Sequence, residues 1–492
     1  MEHEEHLPRK LRKNVILFIT DQERATQHFP PDWERENLPG LTRLKQNGLT
    51  FENAFTNACM CSPARVTCMT GYFPAQHGVK YTLEESMPAP DYPQVEMPLS
   101  LANIATVMSA TGYNVVYKGK WHCNKPAGEK WVPQDVGQYG FTRWNPQDAG
   151  ANQNIDQAGG GNIDNDGRFM NDDGDWQDGA EGVLAYLTSA ATMQQPFFMI
   201  VSLVNPHDVL FYPSTYVAAG YDDSWLAGDI GIPVTVDEDL STKPTAQQQI
   251  LALGQAMGQL STPEMKRDYL NFYGNLIKSS DNYLVEVLDK LEEIGLLQDT
   301  LIIRTADHGE MGLTHGGQRQ KNFLFYEEVI RVPLIFSNPE LYRRPVTSSA
   351  LVSHVDFLPT LANLFGAPVA ARAAWQGVDY SSLVLNPSDR DVQDYVVFTY
   401  DDYQSGQPQG PYPTPPNHIV SIREARYKLA EYYDVAGQVP SQWEMYDLWH
   451  DPLERKNLAY EGCQRSPHEQ EAYERLRLKL QAVKASRLQP LD

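Results

Sequence analysis

Short apolar runs and longer amphipathic stretches alternate along most of this chain. Runs of strand length, rich in β-branched residues, cover 14–20, 114–117, 197–204, 301–305 and 332–336. Between them the pattern shifts to a period of three to four. The clearest case is 263–294, where Tyr269, Phe272, Tyr273, Leu276, Ile277, Leu284 and Leu288 fall at helical spacing. Strands separated by helices predict βαβ units, hence an α/β fold whose mostly parallel sheet is sandwiched by helices. The Gly-, Asn- and Asp-rich stretch 147–182 is expected to be a long surface excursion. A composition break at 385–390 precedes the strand-like VVFTY and a Pro/Gly-rich loop at 404–417. The predicted organisation is a large domain over 1–385 and a smaller C-terminal α+β domain over 386–492. The smaller one is expected to hold antiparallel strands and a terminal helix with Tyr473, Leu476, Leu480 and Val483 on one face.

Composition narrows the class. The 492 residues carry 40 basic and 63 acidic side chains, a net charge of −23, with 41% hydrophobic and 21% charged residues. Such a chain builds a core without disulfides, and five cysteines are too few and odd in number for a disulfide framework. The acidic field disfavours nucleic acid and anionic membranes as partners. The apolar run after the charged N-terminus, VILFI, is too short for a signal peptide or a membrane helix, so a cytoplasmic protein is expected. Nothing in the sequence speaks to oligomeric state.

The polar residues that follow the apolar runs carry the chemistry. Asp21 and Gln22 follow the first; Lys118, Lys120 and His122 the second; His207 and Asp208 the third; Asp307, His308 and Glu310 the fourth. The carboxyl ends of parallel strands share one rim, where open α/β sheets place ligands. A fifth element, Cys61-Ser-Pro-Ala-Arg65, precedes Thr70, Gly71, Pro74 and Gly78. Pro63 after a capping Ser62 predicts a helix that starts here and stops at Gly71. Residue 61 then sits at a helix N-terminus, which favours anions.

These residues resemble the C-x-P-x-R signature of the sulfatase family, within the alkaline-phosphatase-like superfamily. The likeness extends to Lys118–His122, His207, Asp307-His308-Gly-Glu310, Lys321 and Tyr326-Glu-Glu-x-x-Arg331. It continues through Glu444-Met-Tyr446 and Asp451-Pro-x-Glu454-x-x-Asn457, so it spans nearly the whole chain in the family's order.

The resemblance implies sulfate monoester hydrolysis of the arylsulfatase kind. Cys61 would be oxidised to Cα-formylglycine by a formylglycine-generating enzyme. One hydroxyl of its hydrate would attack sulfur and the other would expel sulfate. A divalent ion, calcium by expectation with Mn²⁺ or Mg²⁺ as alternatives, would be held by Asp21, Gln22, Asp307, His308 and residue 61. Arg65 would steady the hydroxylate, and Lys120 and Lys321 would clamp sulfate oxygens. His122 fits the base, and His207 or Lys321 the acid and substrate contact. A small sulfated substrate is expected. Gln22 and His308 depart from the Asp and Asn of many relatives and also resemble phosphonate monoester hydrolases and choline sulfatases. Phosphonate or phosphodiester hydrolysis on the same fold is therefore the alternative, and a non-catalytic binder of sulfated ligands ranks third.

Three further features are read without catalytic roles. Asn162–Asp173 matches part of an EF-hand loop but lacks its terminal glutamate, and is expected to be a solvated loop. Tyr400, Asp401, Asp402 and Tyr403 are expected to connect the small domain to the large one. Cys59, Cys68 and Cys123 are expected to pack as small apolar residues.

Overall fold

A computed structural model describes residues 11–26, 28–84, 94–151, 154–368, 375–387, 391–406, 410 and 412–491. Parts of the predicted break at 385–390 and of the loop at 404–417 lie outside the described residues. The first apolar run is the centre of the molecule. Strand β1 (Asn14–Thr20) lies in a seven-stranded sheet between β5 (Phe197–Ser202) and β6 (Thr300–Ala306), parallel to both. β4 (Asn114–Gly119) extends the parallel set beyond β5. On the other side the order continues through β7 (Leu334–Ser337), β2 (Gly48–Phe55) and β8 (Val346–Ser353). β7 runs antiparallel to both its neighbours, so the sheet is mixed but mostly parallel.

Alternation along the central strands feeds two cores. Val15, Leu17, Ile19, Ile200 and Ile303 enter the core on one face, and Ile16, Phe18, Met199, Val201 and Ile302 the core on the other. The helix Pro263–Glu293 covers the second face with Tyr269, Phe272, Tyr273, Leu276, Ile277, Leu284 and Leu288 buried, as their spacing predicts. Thr262 caps it by accepting the Met265 N–H, and Pro263 takes the first helical position.

The C-terminal part is a second sheet of β9 (Tyr395–Tyr400), β10 (His418–Glu424), β11 (Tyr427–Tyr433) and β12 (Gln442–Asp447), antiparallel throughout. The terminal helix Pro467–Ser486 buries Leu476, Leu480 and Val483 against it, with Tyr473 half-buried. Its edge is completed by β3 (Ala58–Cys59), two residues from the N-terminal part that pair parallel with β9, Cys59 opposite Tyr400. Among the described residues no helix is long and apolar enough to cross a membrane.

The stretch 147–182 departs from the expected surface excursion. Ala149, Ala158, Phe169 and Met170 are buried, and 165–171 is helical. The part expected to be a solvated loop is tied down by its own acids. Asp164 caps that helix, and the buried Asp166 accepts the Val204 and Asn205 N–H groups at 2.6 and 2.9 Å.

Candidate active site

Four parallel strands end on one rim and each delivers a site residue. β1 leads into Asp21 and Gln22, β4 into Lys120 and His122, β5 towards His207, and β6 into Asp307 and His308. Gln22 and His122 take left-handed backbone conformations at φ 65 and 56, uncommon for residues with side chains and concentrated at functional sites.

Cys61 opens the helix Cys61–Thr70, every residue of which is buried. The expected cap is different: Met60 occupies the cap position, and Ser62 Oγ instead accepts the Leu83 N–H at 3.0 Å. Pro63 still falls in the first turn, where its missing N–H costs nothing. Gly71 closes the helix at φ 72, as predicted.

Arg65 lies one turn further on and gathers the strand ends. Its Nη2 donates to Asp21 Oδ2 at 3.0 Å, and its Nε to Asp307 Oδ2 at 3.1 Å. Its Nη1 donates to Lys120 O at 3.0 Å and to Ser202 Oγ at 2.8 Å. One planar fork thus links β1, β4, β5 and β6. Lys120 Nζ reaches Asp21 Oδ2 at 2.5 Å and the Gly150 carbonyl at 2.6 Å. Lys321 Nζ donates to Gln22 Oε1 at 2.5 Å.

Ligand atoms of Asp21, Cys61, Asp307 and His308 lie within 4.8 Å of one another, all buried. His308 Nδ1 donates to the Gly309 carbonyl at 3.1 Å, an assignment that leaves the Nε2 lone pair facing Cys61 Sγ at 3.2 Å. Two carboxylates and an imidazole with a free lone pair are a donor set that fits a divalent cation. Gln22 borders this set: its N–H donates to Asp307 Oδ1 at 3.0 Å, and its Nε2 to Glu310 Oε2 at 2.6 Å.

Electrostatics sort the groups. Burial opposes ionisation of Asp21, yet Lys120, His207, Arg65 and His308 hold its carboxyl well below the usual range. Asp307 is pushed up by burial and by the charge of Asp21. Burial and Asp21 raise the Cys61 thiol, but Lys120, Lys321 and His122 outweigh them and leave it below its ordinary value. Burial lowers His207 well below the ordinary histidine range, with Lys120 adding to it. His122 is also lowered by burial. Its Nε2 donates to the Leu83 carbonyl at 2.6 Å, which leaves Nδ1 as the acceptor on the ring. All eight predicted residues on the rim and the opening helix are thus brought together, with Lys321 and Gln22 beside them. Cys68 and Cys123 pack in the core as expected, the Cys68 thiol pushed up to about 12 by burial.

Several contributors have no signature in the sequence. Asp148 accepts the Trp121 and His122 N–H groups at 2.8 and 2.7 Å, which fixes the turn that carries the imidazole. Asp166 does the same ahead of His207. Glu310 was legible as part of a motif, but its bonds to Gln22, Tyr269 and the Gln320 N–H were not. Asp402 accepts the Thr82 N–H at 3.0 Å, so the segment expected to be a domain connection also braces the chain beside Leu83.

The sulfatase family matches residues 13–367, and the C-terminal part of N-sulphoglucosamine sulphohydrolase matches 315–486. The Delta 4,5-hexuronate-2-O-sulfatase of Bacteroides thetaiotaomicron is 27% identical over 427 residues, covering 85% of this chain and 79% of that protein. A solved 2-O GAG sulfatase superposes with a TM-score of 0.68 at 20% identity, over 96% of this chain and 92% of its own. The phosphonate monoester hydrolase of Agrobacterium radiobacter reaches 0.66 at 20% identity, over 96% of each chain, and shares the fold. A match that runs from β1 through the Cys61 helix to beyond β8 covers most of the 492 residues, and with it the chain belongs to the sulfatase family.

Proposed function

We propose that this sulfuric ester hydrolase cleaves a small sulfate monoester at the rim built around Cys61, releasing inorganic sulfate and an alcohol or phenol. The observation that carries the reading is the convergence of Arg65, Lys120 and the Asp21–Asp307–His308 cluster on the N-terminus of the Cys61 helix. Sulfatases generally use Cα-formylglycine, here from Cys61 by way of a formylglycine-generating enzyme, together with a divalent metal. When bound at Asp21, Gln22, Asp307 and His308, the cation would supply positive charge that acidifies a neighbouring hydroxyl and polarises sulfuryl oxygens. Calcium is our assignment, with Mn²⁺ and Mg²⁺ as the alternatives, and elemental analysis of the purified protein decides between them.

The chain's own groups divide the remaining work. Arg65 keeps both carboxylates in place and sets fixed positive charge next to residue 61. Lys120 and Lys321 offer ammonium groups to the sulfate oxygens, where negative charge develops. His122 takes a proton at Nδ1, since its other nitrogen is committed to Leu83. Lys321 would protonate the leaving oxygen, and His207, neutral at rest because burial lowers it, would donate a hydrogen bond to that oxygen without transferring a proton. Replacing Cys61 with Ala is expected to abolish turnover of p-nitrophenyl sulfate, and full retained activity would reject the nucleophile. Phosphonate monoester hydrolysis is the second reading, supported by the Asp-Gln and Asp-His pairs. A kcat/KM for phenylphosphonate above that for the sulfate ester would favour it. We also propose 386–492 as a smaller second domain.

A further inference from the structure

We propose that Glu310 is a positioning residue for the reaction: through the side-chain amide of Gln22 it holds the Lys321 ammonium at the rim and leaves that charge without a carboxylate of its own. The inference rests on the function proposed above, in which Lys321 faces the sulfate ester.

A chain of short bonds joins the three side chains, all of them buried. Glu310 Oε1 accepts three donors: the Tyr269 hydroxyl at 2.7 Å, the Gln320 N–H at 2.9 Å and the Gly312 N–H at 3.2 Å. Its Oε2 accepts from Gln22 Nε2 at 2.6 Å. Gln22 Oε1 in turn accepts from Lys321 Nζ at 2.5 Å. Gln320 Oε1 flanks the pair, 3.2 Å from Gln22 Nε2 and 3.4 Å from Lys321 Nζ. The main chain of Gln22 is held at both its groups, since its N–H donates to Asp307 Oδ1 at 3.0 Å and its carbonyl accepts from the Tyr273 hydroxyl at 2.7 Å. Only the way its amide is turned remains to be chosen.

Hydrogen-bond polarity makes that choice. An ammonium only donates and a carboxylate only accepts, so an amide between them has one allowed orientation. The outcome is an ion pair with a neutral spacer. Lys120 is different, because Asp21 Oδ2 sits on its ammonium at 2.5 Å. Among the described residues no carboxylate is bonded to Lys321, whose side-chain partners are the two amide oxygens. A carboxylate in direct contact would offset the positive charge where sulfate oxygens gain negative charge, and the amide fixes the ammonium without doing so. A one-atom change exposes the dependence. In Glu310→Gln the three donors at Oε1 claim the new carbonyl oxygen, which turns the new NH₂ group against Gln22. Gln22 must then answer with its oxygen and point its own NH₂ at Lys321. Two donors meet there, and the ammonium is driven off.

A double-mutant cycle on the full, matured chain tests the relay, with p-nitrophenyl sulfate as substrate. We expect Glu310→Gln to lower kcat/KM about tenfold or more in the parent, but less than about twofold once Lys321→Met is present. A merely structural Glu310 would cost the same on both backgrounds. Tyr269→Phe removes one contact at Oε1 and keeps the link to Gln22, so its loss should stay within about threefold. Circular dichroism melts report whether the variants fold. Glu310→Asp keeps the polarity while drawing the oxygen back, and shows the same dependence on Lys321 should Glu310→Gln fold poorly. A crystal structure of the Glu310 variant reads the position of Lys321 directly, with Nζ expected out of hydrogen-bond reach of residue 22, and it decides the matter where Lys321→Met leaves no measurable turnover. Equal losses with and without Lys321, a loss below about twofold in both Glu310 variants, or an unmoved Lys321 would each overturn the proposal. The crystal readout needs no turnover, so a failure of the proposed function is told apart from a failure of the relay.

Discussion

Arg65 does at the residue scale what no single strand can do, because its planar fork reaches four strand ends at once. Lysine keeps the charge but offers one compact head, which cannot span Asp21 and Asp307 together. Arg65→Lys is therefore expected to lower kcat for p-nitrophenyl sulfate by about 100-fold or more, the scale of losing one well-placed stabilising donor. A kcat within a few-fold of the unmodified enzyme would show that the fork is dispensable. At this scale much of the site was legible, since Asp21, Lys120, Asp307 and Cys61 stand next to unmistakable apolar runs or a tight motif. Asp148 was not legible, because its role is to receive two N–H groups from a turn 26 residues away in sequence. Composition alone marks that stretch as loop.

Elements were legible where burial on both faces forces a continuous apolar run, as in β1, β5 and β6. Strand direction was not, because an apolar run carries no sign, and β7 proved antiparallel. β3, at two residues, is below any periodicity. The short helix Pro39–Gln46 shows how elements lock together. Asp281, on the long helix Pro263–Glu293, accepts the Gly40 and Leu41 N–H groups at 2.7 and 2.8 Å. Burial pushes its carboxyl up to about 6. An unfolded aspartate ionises near about 3.9, so between roughly pH 4 and 6 the unfolded chain loses its proton first. Stability should fall as pH rises through that window, by about 2–3 kcal/mol in all, and level off above it. Denaturant titrations across pH 4–7 should show this slope in the native chain and a flatter one in Asp281→Asn; equal slopes would count against it.

Across the whole molecule the charge of −23 and the cationic rim act on different length scales. The rim governs contact with one sulfate group, while the surface field governs approach. For a singly charged ester the field is a minor barrier. For a highly sulfated oligosaccharide it is repulsive, and salt screens it. We expect kcat/KM for such an oligosaccharide to rise several-fold between about 20 and 200 mM NaCl while that for p-nitrophenyl sulfate changes little. A fall with salt would reverse the sign assigned to the approach.

The two-residue pairing of β3 with β9 has a consequence for the order of events during synthesis. Residues 58–59, just ahead of the nucleophile position, find their strand partner at 399–400. A ribosome must deliver residues 399–400 before that wall can close, and contacts so distant in sequence form late. A nascent chain that already displays Asp21, Cys61, Arg65 and Lys120 therefore still lacks that wall, and a truncation before 395 is expected to abolish p-nitrophenyl sulfate turnover.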